Sequence, residues 1–278
     1  MNEPCLAGIV EVANRLFPFD MAEKWDNCGI QIGDPARAVR SIAFSLDPTP
    51  QTVQFAADHS CQLLITHHPV LLEPIRNITT DSLPGRTLLK AAETGVNILS
   101  LHTNLDAAPG GLNDQLAARL GLQSISTPLP ATCARLGTLA ETTALFALTR
   151  RWAEDLGVPH MRVIASADTP VDVVFCASGS GMSYLADAIR YHADVMITGD
   201  VRYHAAREAL ELGMPVIDAG HYGLEKMAVE ILLSAFSEEF LNIGWEMQLV
   251  VCDTEVEPFS EIYNSRGGST VERTTSTT

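Results

Sequence analysis

An α/β fold built in two units is what this sequence predicts, and three observations predict it. Short apolar runs alternate with stretches of helical spacing along most of the chain. Several of those runs stop abruptly at histidine, aspartate or asparagine. A segment rich in Ser, Thr and Pro over 124–135 separates a first series of strand–helix repeats from a second, shorter one. Strands alternating with crossover helices are the pattern of a parallel sheet.

Taken in order, Leu6, Ile9, Val10, Ala13, Leu16 and Phe17 recur at helical spacing, and Pro18 stops that first helix. Trp25-Asp26-Asn27-Cys28-Gly29 reads as a loop leading into a short strand. A strand over 41–46 exits through Asp47-Pro48-Thr49-Pro50, where Thr49 is placed to cap a helix reaching residue 57. The apolar run Gln62-Leu63-Leu64-Ile65-Thr66 then ends in His67-His68-Pro69. A helix over 85–93, a strand over 96–101 ending in His102-Thr103-Asn104-Leu105-Asp106, and a helix over 112–120 closed by Gly121 complete the first series.

Beyond the 124–135 segment, expected as a linker, helices are expected at 143–156, 203–212 and 221–236. Strands are expected at 160–164, 171–176, 195–198 and 216–218, with an edge strand over 245–252. Ser178-Gly179-Ser180-Gly181 opens a helix reaching 191; its spacing fits neither the P-loop nor the dinucleotide fingerprint, so a phosphate role stays open. The segment 259–278 has almost no apolar content and is expected to be disordered.

The balance of charge excludes some functions. A chain of 278 residues with formal net charge −16 has no general attraction to nucleic acid or to an anionic membrane, and no local basic patch offsets it. Six dispersed cysteines without a Cys-x-x-Cys pair argue for reduced thiols and a cytoplasmic protein, not for a disulfide framework or a thiolate zinc site. No apolar run approaches the roughly 18 residues of a membrane span.

Ligand-type residues gather where strands hand over to loops or helices: His67 with His68, His102 with Asp106, and His221 with Glu225. Adjacent strand residues point to opposite sides, so His67 and His68 suit two neighbouring ions, or one ion and one further contact. His221 and Glu225, four apart at a helix start, share one face. Imidazole and carboxylate without thiolate suit Zn, Mn, Fe, Co or Ni.

The motifs Trp25-Asp26-Asn27-Cys28-Gly29-Ile30, Thr66-His67-His68-Pro69, His102-Thr103-Asn104-Leu105-Asp106, Thr198-Gly199-Asp200 and Gly220-His221-Tyr222-Gly223-Leu224-Glu225 follow one another in that order. In this the chain resembles the Ngg-interacting-factor-three-like (YbgI-like) dinuclear-metal-centre hexamer family, whose members are often labelled homologues of a type 2 GTP cyclohydrolase I. The resemblance implies two divalent metal ions per chain, held by His67, His68, Asp106, His221 and Glu225. It puts His67 and Asp106 on one ion, His68 and His221 on the other, and Glu225 between them. His102, Asp200 and His204 become candidate substrate contacts or supports, with capping of the next helix an alternative for Asp200. Cys28 stands where an aliphatic residue is commoner in the family, and Asp200 where some relatives carry Glu.

If His221 and Glu225 meet ligands from the first 106 residues, the metal-bearing domain is discontinuous, 1–124 with 214–258. A smaller α/β domain over 125–213 is then inserted in it, and the site lies in the cleft between the two. The resemblance further implies a toroidal homohexamer. Two functions follow: a metal-dependent hydrolase of small molecules, GTP cyclohydrolase type 2-like in one version, or a non-enzymatic metal-binding scaffold acting in metal handling or regulation.

Overall fold

The computed structural model describes residues 4–129 and 132–259; the disorder expected for the tail falls outside them, Phe259 excepted. The first series comprises α1 (Leu6–Leu16), β1 (Gly29–Ile32), β2 (Ser41–Ser45), α2 (Pro50–Asp58), β3 (Leu63–Thr66), α3 (Leu83–Thr94) and β4 (Asn97–Ser100), followed by two short helices, α4 (Thr103–Ala107) and α5 (Leu112–Arg119). The second comprises β5 (Gln123–Ser126), β6 (Ala134–Ala144), α6 (Leu145–Leu156), β7 (Arg162–Ile164), β8 (Pro170–Ala177), α7 (Leu185–Arg190), β9 (Val195–Thr198), α8 (Tyr203–Glu211) and β10 (Val216–Asp218). The last elements are α9 (His221–Glu225), α10 (Ala228–Ile243) and β11 (Gln248–Val251).

Two sheets result. The first has the order β1-β4-β3-β2-β11 and the second β5-β6-β8-β9-β10-β7. Strands β4, β3, β2 and β11 run parallel, while β1 pairs with β4 antiparallel. In the second sheet β8, β9 and β10 are the parallel centre, flanked by antiparallel β6 and β7. Every residue of β2, β3 and β4 is buried, as in a sheet covered on both faces.

The two-residue period of a strand sorts those side chains. Ile42, Phe44, Leu63, Ile65 and Leu99 meet α1 and α10 through Ile9, Leu232 and Phe236. Ala43, Leu64 and Ile98 face the other way, onto Val53, Ala56 and Leu88 of α2 and α3. In the second sheet Val174, Val195, Ile197 and Ile217 pack under Leu148 and Trp152 of α6, with Phe175, Met196 and Val216 on the opposite face. Local signals agree with these elements. Thr49 accepts from the Thr52 amide (3.1 Å) while the Thr52 hydroxyl accepts from the Thr49 amide (2.8 Å), closing a capping box ahead of Pro50. Gly95 ends α3 at φ 74°.

Four expectations are corrected. The 124–135 segment is no plain linker, because β5 and the start of β6 lie in it. The helix expected from 143 starts at Leu145, since β6 runs on to Ala144. The single helix expected from 221 to 236 is two, α9 and α10. Finally, β10 pairs with β9 in the second sheet, so the chain returns to the first sheet after Asp218 and not at 214. No helix among the described residues is long and apolar enough to cross a membrane.

The anchor of the second core is Trp152, fully buried, whose indole N–H donates to the Leu120 carbonyl at 2.9 Å. Replacing it with alanine opens a large cavity and leaves that carbonyl unpaired. Trp152→Ala should therefore cost about 3–5 kcal/mol, read as a lower midpoint of urea unfolding at unchanged slope.

Candidate metal centre

The parallel strands of both sheets deliver polar side chains just past their carboxyl ends, where open α/β sheets bind ligands. Asp47 follows β2, His67 and His68 follow β3, His102 follows β4, Asp200 follows β9, and His221 follows β10. Backbone pairing continues one step beyond β3, with His67 N–H donating to Ser45 (3.2 Å) and His68 N–H to Leu46 (2.9 Å). The chain bends at the two histidines, so their rings, 5.0 Å apart, do not point to opposite sides as a regular strand would require; both turn toward the same carboxylate. Asp106 lies one helical turn beyond His102 on α4, and Glu225 one turn beyond His221 on α9.

These groups converge on one carboxylate oxygen. Glu225 Oε2 is 2.7 Å from His221 Nε2, 2.9 Å from His68 Nε2 and 3.9 Å from His67 Nε2. The Nε2 atoms of His68 and His221 are 3.3 Å apart. Each imidazole is aimed by its other nitrogen: His67 Nδ1–H donates to the Leu101 carbonyl (2.9 Å), His68 Nδ1–H to Asp47 (2.8 Å) and His221 Nδ1–H to Asp200 (2.8 Å). Such partners fix the tautomer that offers Nε2 to a metal.

Two atoms carry the test of whether a metal fits. His67 Nε2 and Asp106 Oδ1 are buried, make no hydrogen bond, and face each other at 3.7 Å. That is too far for a hydrogen bond. It suits two ligands bound about 2.0–2.2 Å from a shared ion. An unpaired buried acceptor is costly, and here two acceptors point at one another. The residues fit a divalent ion. Among the described residues, ligand atoms group as His67, His68 and His102, and as His68, His221 and Glu225.

Electrostatics gives the same picture. Burial drives His67 down to about 3, so it is neutral and able to ligate. Burial also opposes charge on His68 and His221. For His68, the hydrogen bonds to Asp47 and Glu225 outweigh it and raise the imidazole to about 10. For His221, Glu225 and Asp200 outweigh it and raise it to about 9. Burial and the nearby Glu225 charge push Asp106 well above the usual carboxylate range, whereas the hydrogen bonds from His221 and His68 overcome burial and hold Glu225 well below it. Protons thus stand where cations would.

The sequence profile of the Duf34/NIF3 (NGG1p interacting factor 3) family matches residues 5–258. The chain belongs to the Duf34/NIF3 family. It is 30% identical to a "GTP cyclohydrolase 1 type 2 homolog" of Clostridium perfringens, over 92% of this chain and 99% of the relative. It is 32% identical to the "GTP cyclohydrolase 1 type 2" of Helicobacter pylori, over 81% of this chain and 90% of that one. Among solved structures, a Bacillus cereus protein related to NIF3 superposes with a TM-score of 0.88 at 22% identity, covering 95% of this chain and 100% of that one. Reduced HcgD from Methanocaldococcus jannaschii superposes with a TM-score of 0.77 at 28% identity, covering 90% and 98%.

For this Duf34/NIF3 chain, His67, His68, Asp106, His221 and Glu225 come together, and His102 stands beside them. Its Nδ1–H donates to Asp26 (2.9 Å), and its ring meets that of His67 edge-on at 5.1 Å. Asp200 is no helix cap, since Arg202 precedes α8; it aims His221 and accepts from the Ser180 hydroxyl (2.9 Å). His204 is exposed on α8 against Tyr203 and lines no part of the cavity at the site. The sequence reading gives Asp47, Asp26 and Asn113 no site role, although Asp26 lies in the Trp25–Ile30 motif and Asp47 sits at a strand exit just as His67 does.

Asn113 ties the halves of the site together. Fully buried, it donates through Nδ2 to the Asp106 carbonyl (3.3 Å) and the Ser178 hydroxyl (3.0 Å), and accepts through Oδ1 from the Ser178 amide (2.8 Å). Ser178 leads into Gly179, which adopts φ 58° and lies so close to Glu225 that an added Cβ would sit 2.3 Å from its Oε1. Gly179→Ala should therefore displace Glu225 and weaken metal retention at least tenfold, while Gly213→Ala, with open space around it, should not. Metal content after dialysis against a graded chelator checks this.

Proposed function

We propose that this protein binds two divalent ions per chain and is a metal-dependent hydrolase acting on a small molecule in the cleft above them. The observation that carries it is the facing, unpartnered pair His67 Nε2 and Asp106 Oδ1 beside Glu225, at one wall of a cavity of about 750 Å³. His67 and Asp106 would hold one ion, His68 and His221 the other, with Glu225 Oε2 within reach of both. Bound divalent ions supply Lewis acidity and lower the pKa of water.

The chain's own groups account for the remainder. Asp47, Asp200 and the Leu101 carbonyl keep three imidazoles oriented. Asp26 holds His102 by Nδ1, so its Nε2 is the atom available to take or return a proton during hydrolysis. The name of the Helicobacter pylori relative brings one version of the reaction to this chain, attack of water at a ring carbon. A cytoplasmic homohexamer is part of this reading, and light scattering should give six times the 30.0 kDa of one chain.

Protein purified without chelators or a His tag should carry about two metals per chain by elemental analysis, falling to one or none in Glu225→Gln. A metal-free wild type would sink the proposal.

Metal uptake should also depend on pH in a defined direction. With His68 near 10 and His221 near 9 in the metal-free site, ions must displace protons at pH 7. Affinity should therefore rise with pH through about 9 and fall on acidification. Calorimetry in buffers of different ionisation enthalpy should read release of at least about one proton per chain.

A further inference from the structure

The cavity beside the metal ligands has a lining whose chemistry selects among ligands. It is bounded on one side by Glu23, Trp25, His102 and Asp106, and on the other by the 178–184 turn and Asp187. About 750 Å³ is room for a bicyclic ring with a sugar. Glu23, Asp106, Asp187 and Glu225 contribute carboxylates, and no lysine or arginine is among the described residues that line it.

Sites for free polyphosphates present Lys or Arg, or a run of unused backbone N–H groups. The 178–181 turn is the one glycine-rich candidate in that lining, and half of its backbone N–H groups are committed elsewhere. The Ser178 amide donates to Asn113, the Gly181 amide to the Thr198 hydroxyl (2.8 Å), and the Ser180 hydroxyl to Asp200.

What the lining does offer is an aromatic shelf and hydrogen-bond acceptors. Trp25 is 59% exposed, with its ring set edge-on to His102 at 6.0 Å. An indole left in water at the wall of a cavity is a stacking surface for a planar, neutral or cationic ring. Glu23 is fixed by its amide, which donates to the Thr103 hydroxyl (2.9 Å), and by its Oε1, which accepts from the Tyr184 hydroxyl (3.0 Å). Its other oxygen and the Asp187 carboxylate make no hydrogen bond to the described residues. Unused carboxylate oxygens are acceptors for amino and ring N–H groups.

We propose that this cleft takes an uncharged amino-substituted N-heterocycle, as free base or nucleoside, stacked on Trp25 and read by Glu23 and Asp187, and that it discriminates against the polyphosphate form. The proposal deepens the hydrolase reading, on which it rests for what happens to the ring. In the metal-free protein binding depends only on protein groups, and the preference is stated for that state, because divalent ions bound at His68, Asp106, His221 and Glu225 would add an attraction for phosphate oxygens.

Calorimetric titration of the full chain, stripped of metal by a chelator that is then removed, with guanosine, GTP and inorganic triphosphate tests this. Guanosine should bind at least tenfold more tightly than GTP, and triphosphate more weakly than either. Trp25→Ala should weaken guanosine about tenfold with circular dichroism unchanged. The double variant Glu23→Gln, Asp187→Asn should weaken guanosine and at the same time strengthen GTP, because acceptors are lost and like charges removed. A merely structural role for the two carboxylates would lower both. GTP binding as tightly as guanosine, no guanosine binding, or an indifferent Trp25→Ala would each overturn the proposal. Elemental analysis of the protein as purified, before stripping, keeps the readings apart: an absence of metal there refutes the dinuclear centre, whereas a GTP preference refutes only the heterocycle assignment.

Discussion

The rest of the structure depends on the burial of one carboxylate. Glu225 is 2% exposed and comes from a helix that the chain reaches only after completing the second sheet. Removing a charge from water costs several kcal/mol unless partners replace the solvent. The partners come from elsewhere: His68 from the first sheet, His221 from the start of the same helix, and behind them Asp47 and Asp200. That requirement holds the two sheets in register at their carboxyl ends. The Gly179 turn from the second sheet closes over the same carboxylate, and Asn113 locks the turn to α4, which carries Asp106.

A second buried charge stabilises the same seam. Arg135 on β6 is 2% exposed and pairs with Asp114 on α5, while its guanidinium also donates to the carbonyls of Ala107 (2.9 Å) and Ala108 (3.3 Å) at the end of α4. The short helix bearing Asp106 is therefore satisfied at its carboxyl end by a residue of the other sheet. The geometry of the candidate site and the packing of the two units are one problem, solved by the same hydrogen bonds.

Much of this was legible in the sequence, for definite reasons. Strands β2, β3 and β4 are continuous apolar runs that end in polar residues, and such runs announce both the strand and its useful end. His67, His68, Asp106, His221 and Glu225 could be grouped because each lies at such an end or one helical turn beyond it. Strand β6 was hidden because its Glu141, Thr142 and Ala144 are exposed and polar or small, following a Ser- and Pro-rich stretch; its extended form is held by pairing with β8. The break between α9 and α10 carries no Gly or Pro, for α10 turns to pack on α1 and β2. Asp47 and Asp26 were hidden because an aspartate at a loop is ordinary until the imidazole it orients is in view.

The charge balance of the site argues for what belongs in it. Asp106, Glu225, Asp47 and Asp200 bring carboxylates into one region, and the described residues of the lining supply no arginine or lysine to offset them. In the metal-free state protons on His68 and His221 offset Glu225, and burial favours a proton on Asp106. Protons satisfy only part of this frame, because His67 Nε2 and Asp106 Oδ1 still face each other without a bond. A small multivalent cation serves those two acceptors and the Glu225 carboxylate together, which a proton, confined to one short hydrogen bond, does not do. The arrangement is thus a frame for ions more than for protons, and the neutral His67 is the residue that distinguishes the two.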